Sequence, residues 1–251
     1  MDLYFAQNEF FENMNLQVAT LYKKGLCMVD ILNTYWSLLL RSLGQTLLLT
    51  LLSLFFAFII GLFFGLLSVS KNKVLNIISV IYVDGIRGVP LIVLAYFVYF
   101  GIPMFVQMIG IKGFRLSALV AGTISLSMNA GAYMSEIFRG GIQSVDKGQM
   151  EAARSLGLGY GKSMQKVILP QAIRTMIPAI ISQFIISLKD TSILSVIGFP
   201  ELTKAGSIIV GNTFAALQVW GIVALLYMIV IVTLSRLAKK LEGRLNVGQD
   251  R

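Results

Sequence analysis

The sequence predicts an all-α integral membrane protein with about five membrane-spanning helices. Three observations carry that reading. The 251 residues are 56% hydrophobic and only 13% charged, with mean hydropathy +0.79, whereas soluble domains carry about 25% charged residues. Four long runs hold no charge at all: residues 42–70, 88–111, 116–135 and 205–235. Each is long enough for a helix to cross the hydrocarbon core, and too continuous to be the alternating strand of a barrel.

Residues 1–41 read either as an extracytoplasmic leader with amphipathic pieces, because Phe5, Phe10, Phe11, Met14, Leu21 and Tyr22 are spread among polar residues, or as a partly ordered polar leader. Asp2, Glu9 and Glu12 stand where a cleavable signal would carry Lys or Arg. The spans are expected near 42–70, 77–107, 116–138, 171–198 and 207–235. Gly61 and Gly65 in the first have the spacing that allows close helix packing. Pro90 and Pro103 are expected to kink or break the second. The fourth reads as one helix over 173–188, with a kink near Pro178, that turns near Lys189 and Asp190 into a shorter helix. That charged pair either marks an aqueous helix end or is satisfied at depth by neighbours. Residues 241–251 form a cytoplasmic tail. Placing 139–174 in the cytoplasm puts 13 of the 21 Lys and Arg residues on that side against 7 on the other, with Arg87 unassigned. This bias orients the N-terminus outside and the C-terminus inside.

Composition also excludes functions. Net charge is +9 with no His, but the cations flank apolar spans, so topology and anionic lipid account for them and no nucleic-acid partner is expected. A single cysteine, Cys27, permits no intramolecular disulfide and no Cys-rich metal site. Without His the commonest acid/base group and metal ligand is missing. No catalytic residues and no metal site are expected.

The polar segment 146–170, DKGQMEAARSLGLGYGKSMQKVILP, separates two apolar regions. Asp146 has the spacing of a helix cap to Gln149, residues 149–156 favour a helix, and Gly157 supplies a stop. Ala152 and Ala153 lie four and three residues from Leu156, a small-residue face suited to close approach. Met164, Val167 and Ile168 recur at helical spacing with Lys162 and Lys166 on another face, and Pro170 is expected to open the next element. The words GLGYGKS resemble a phosphate-binding loop, but that pattern requires Gly where Leu156 stands and a preceding strand, so no nucleotide site is expected on this chain.

Glu151-Ala152-Ala153, Gly157 and Leu169-Pro170, at these spacings, resemble the EAA loop of the membrane subunits of bacterial ABC importers. Val167 replaces the usual Ile. The flanking words from Ala132-Tyr133 through Arg139-Gly140-Gly141-Ile142, ILPQA over 168–172 and LKDTSILSVIG over 188–198 resemble the polar amino-acid permease branch. The resemblance covers about 35–245. It implies a type I importer permease fold over 42–240, in the cytoplasmic membrane of a bacterium. It further implies a second permease copy or relative, a dimer of ATPase subunits that hold the ATP and Mg, and an extracytoplasmic solute-binding protein. In that scheme Glu151, Ala152, Ala153, Arg154, Gly157, Leu169 and Pro170 couple to the ATPase, Glu151 as polar anchor. The cargo implied is a polar amino acid such as glutamine, arginine, histidine or cystine. A path for it should offer charges of both signs. Asp84, Arg87, Glu136, Arg139, Lys189 and Asp190 are the candidates, with Asn129, Tyr133 and Gln183 adding hydrogen bonds. Glu136/Arg139 and Asp84/Arg87 are each three apart, so intrahelical pairing is the competing role. The alternative readings are an ion-gradient-driven secondary transporter or channel, and a membrane enzyme. The first is disfavoured by the few intramembrane acids and by the lack of paired broken helices in matching halves. The second is disfavoured by the lack of clustered acid/base groups.

Overall fold

The computed structural model describes residues 28–246, and all regular structure among them is helical. Helix α1, Met28–Ser68, has 41 residues, about 62 Å at 1.5 Å per residue, twice a hydrocarbon core of about 30 Å. The helix therefore begins ahead of the span expected from residue 42. Arg41 is exposed on a helix that runs straight through it, because a solvated charge does not interrupt backbone hydrogen bonding. Residues 1–27, with the amphipathic pieces read there, lie outside the described residues, as do 247–251 of the tail. One stripe of α1 is small or hydroxylic and buried: Ser42, Thr46, Thr50, Ser53, Ala57, Gly61, Gly65 and Ser68. Its other face, including Leu51, Phe55, Ile59 and Phe63, is exposed, as a lipid-facing surface is.

Helix α2, Lys73–Arg87, is capped by Asn72, whose Oδ1 accepts from Val74 N at 2.9 Å. It ends at Gly88, and α3, Leu91–Met108, begins directly after Pro90. The span expected over 77–107 is thus two helices. Pro103 does not break α3, because a wider turn over Phe97–Gly101 lets Ile102 N reach Phe97 O and accommodates the proline that follows. Helix α4, Ala118–Gln143, is capped by Ser117. It packs along α1 with Gly131, Met134 and Phe138 against Ile60, Gly61 and Gly65. Facing helices rather than lipid, it needs less apolarity, and it is absent from the four described helices that are long and apolar enough by themselves to cross a membrane. Those four are α1, α3, the rod over Tyr160–Ile197, and the last helix.

The polar segment is helical almost throughout. Helix α5, Lys147–Ser155, is followed by α6, which begins at Tyr160 and runs unbroken to Asp190 before tightening into a 3-10 turn over Thr191–Ile197. Pro170 therefore opens nothing. It sits inside α6 two residues after a second wide turn, Met164–Ile168, in which Leu169 N reaches Met164 O. The expected turn after Lys189-Asp190 is present, and Gly198 at φ +82° closes it. The shorter helix beyond is α7, Leu202–Thr213, and α8 is Ala216–Asn246. The span expected over 207–235 is consequently split. Phe214, left-handed at φ 55°, ends α7 within a run that carries neither charge nor proline. Two interruptions, between α2 and α3 at Pro90 and between α6 and α7 beyond Asp190, fall where a break and a turn were expected. The two interruptions meet in one core where Leu91, Leu94 and Val98 pack against Leu194, Ile197 and Phe199.

Candidate functional site

The coupling segment is built by its caps. Asp146 Oδ1 accepts from Gly148 N at 2.7 Å and starts α5. At the other end Leu158 N donates to Ala153 O and Gly157 N to Arg154 O, with Gly157 at φ +84°. This paired closure needs a left-handed residue after the helix, which glycine adopts without penalty. The helix presents Glu151, Ala152, Arg154, Ser155 and Leu156 outward, and Leu156 is 83% exposed. The small-residue face expected from Ala152, Ala153 and Leu156 is not one face. Ala153 is 4% exposed and turns inward with half-buried Met150. Only Ala152 and Leu156 share the outer surface. Inside, Ile168 is buried while Met164 and Val167 are half-buried, and Lys162 and Lys166 face out, as their spacing predicts. Ser163, the end of the phosphate-loop look-alike, is buried with its hydroxyl on Gly159 O at 3.2 Å, so its oxygen is tied to the helix start.

The intramembrane candidates divide. Arg87 on α2 meets Tyr133 and Glu136 on α4. Its guanidinium lies 5.1 Å from the Tyr133 ring centroid, and Nη1 is 3.8 Å from Glu136 Oε2. Arg139 grips the same carboxylate with both ends of its fork, Nε to Oε1 at 3.0 Å and Nη2 to Oε2 at 2.7 Å, and extends Nη1 to Gln143 Oε1 at 2.9 Å. Three apart does predict the Glu136–Arg139 pair. It mispredicts Asp84, which is exposed and makes no ion pair among the described residues, while Arg87 reaches across to α4. Asn129 is buried on α4 and Gln183 on α6, where Gln183 Nε2 reaches Ser187 Oγ at 3.4 Å. Lys189 and Asp190 do not pair with each other. Lys189 is exposed and lines a cavity of about 470 Å³ with Ser192, Tyr227 and Met228.

One polar centre escaped the sequence reading. Glu201 is 0% exposed and caps α7, its Oε1 accepting from Lys204 N at 2.6 Å and its Oε2 from Thr203 N at 2.8 Å. The Tyr227 hydroxyl on α8 donates to Oε2 at 2.8 Å, and Leu202 N donates to Thr46 Oγ1 on α1 at 3.1 Å. Three helices are thereby tied at one point. The sequence signal was present: an acid followed by apolar-periodic residues is a helix start.

The described helices form a bundle of apolar spans, interrupted in two adjacent places and carrying one short capped helix, the architecture of a polytopic membrane subunit. Residues 35–246 match the family described as the binding-protein-dependent transport system inner membrane component, and the chain belongs to that family. It is therefore a multi-pass protein of the inner membrane. It is 36% identical over 210 residues to the glutamine transport system permease protein GlnP of Escherichia coli (strain K12), covering 84% of this chain and 94% of that one. Identity is 33% over 207 residues to the arginine transport system permease protein ArtQ of Bacillus subtilis (strain 168), covering 82% and 92%. Among solved structures, that of an amino acid ABC transporter with histidines superposes with a TM-score of 0.80 at 37% identity, covering 87% of this chain and 99% of that one.

Proposed function

We propose that this chain is the permease subunit of an ATP-driven importer for a polar amino acid, such as glutamine, arginine, histidine or cystine. Two copies, or this chain and a relative, enclose a shared path. Each inserts α5 into a groove on a cytoplasmic ATPase subunit, which holds ATP and Mg, while a solute-binding protein delivers cargo from outside. The observation that carries this reading is the exposed outer face of α5, ending in Leu156 and stiffened by caps at both ends. Such a helix is a rigid contact through which a soluble two-state machine biases a bistable bundle. Glu151, Ala152 and Arg154 contact the ATPase. Ala153, Gly157, Leu169 and Pro170 act from beneath, by packing, by the left-handed turn and by the wide turn of α6. The N-terminus is outside and the C-terminus cytoplasmic. The cargo passes Asp84, Arg87, Asn129, Tyr133, Glu136, Arg139, Lys189 and Asp190. Liposomes holding this chain with its ATPase, supplied with binding protein outside and ATP inside, accumulate labelled amino acid. Accumulation driven by an imposed ion gradient without ATP would overturn the proposal in favour of a secondary transporter.

A further inference from the structure

We infer that Arg87 and Glu136 form a clamp for the charged head of an amino-acid cargo, Arg87 taking the α-carboxylate and Glu136 the α-ammonium. This deepens, and rests on, the reading of the chain as an amino-acid permease. The two charges sit on different helices and face each other at 3.8 Å, beyond hydrogen-bond distance. The Glu136–Arg139 contacts at 2.7 and 3.0 Å are fully formed by contrast. Glu136 is therefore fixed from one side by Arg139 and loosely apposed to Arg87 on the other.

Each partner keeps unused capacity. The Arg87 guanidinium lies over the Tyr133 ring at 5.1 Å from its centroid, a cation–π contact that uses none of the N–H donors with which an arginine fork matches a carboxylate. No hydrogen bond from that guanidinium is formed among the described residues. Each Glu136 oxygen accepts once, from Arg139, out of about two acceptor sites per oxygen. The side chains of Arg87 and Glu136 are 39% and 30% exposed, unlike sealed Glu201. Half-exposed charges on membrane helices face water or a partner chain, because lipid offers them nothing. A zwitterion inserted between them replaces one long contact by two short ones without changing the net charge of the site. Arg139 and Tyr133 are positioning residues. The clamp reads only what all amino acids share, so side-chain selectivity lies elsewhere.

The test uses the purified complex of this chain with its ATPase, without binding protein. Labelled L-glutamine, L-arginine and L-histidine are bound and competed with their carboxamides, which lack the carboxylate, and their N-acetyl forms, which lack the ammonium. The parent complex rejects both analogues. Arg87→Ala weakens amino-acid binding by at least about tenfold and loses the preference for acid over carboxamide, which Arg87→Lys retains. Glu136→Gln loses the preference for free over acetylated amine and keeps the other. Co-purification of the ATPase checks assembly of each variant. Unchanged preferences in both variants overturn the clamp, as does parent affinity in Arg87→Ala. So does absent binding in a complex that transports. A parent complex that neither binds nor transports any amino acid overturns the permease reading instead, and the clamp with it.

Discussion

Gly157 shows how much a single backbone angle decides. Its φ of +84° closes α5, while a side chain built there would meet nothing within 4 Å. Any penalty for replacing it is conformational rather than steric. A β-branched residue held left-handed costs roughly 1–2 kcal/mol, enough to shift the population of the closed turn by roughly five- to thirtyfold. Gly157→Val is expected to lower ATP-driven uptake by that order while the chain still inserts, and Gly157→Asn to lower it less. Gly161, equally open but without a positive φ, serves as control through Gly161→Ala. Equal uptake in Gly157→Val and Gly161→Ala liposomes would remove the turn from the mechanism. The stop at Gly157 was legible because glycine after a helical run has one dominant use. The partner of Arg87 was not, because spacing reports only neighbours on the same helix. Asp84 had the right spacing, but the charge within reach was on α4.

At the scale of elements, the α1–α4 contact is set by absent side chains. A Cβ on Gly61 would lie 2.5 Å from Met134 Cβ, one on Gly65 2.8 Å from Phe138 Cβ, and one on Gly131 2.8 Å from Ile60 Cγ2. None of these atoms is the free end of a flexible chain, so the helices must separate. Gly61→Ala is expected to destabilise the solubilised protein by about 1–3 kcal/mol. On the same helix Gly44 has nothing within 4 Å, and Gly44→Ala should stabilise by about 0.5–1 kcal/mol through helix propensity. Thermal unfolding followed by helical circular dichroism separates the two, and similar midpoints would refute close packing at Gly61. The spacing of Gly61 and Gly65 made this contact visible in the sequence. Helix ends were less visible, because charge was taken for an end at Arg41 where none exists. At Phe214 an end exists with no charge or proline to mark it. Pro90 broke a span as its chemistry requires, whereas Pro103 and Pro170 were absorbed by wide turns. A proline therefore predicts either a break or a widened turn, and the choice depends on packing that the sequence does not display.

For the whole molecule, the membrane crossings and the position of α5 have to agree about sidedness. If α5 is cytoplasmic, then the 109–117 link between α3 and α4, at the other end of α4, faces outward. The positive-inside bias points the same way through an independent force, the retention of Lys and Arg on the cytoplasmic face. Leu156 at 83% exposure and Ile111 at 56% are well placed to report the two sides. In a background with Cys27→Ser, Ile111→Cys is expected to react with a membrane-impermeant maleimide on intact cells, and Leu156→Cys only in inside-out vesicles. Adding the ATPase subunit to those vesicles should then shield position 156, since a fully exposed leucine on a polar surface stays dry only inside a partner's groove. Labelling of position 156 on intact cells would invert the bundle. Labelling in inside-out vesicles that the ATPase leaves unaffected would keep the orientation but detach the motor from α5. Because topology and docking fail in different vesicles, one pair of cysteines separates the fold's orientation in the membrane from the contact that drives it.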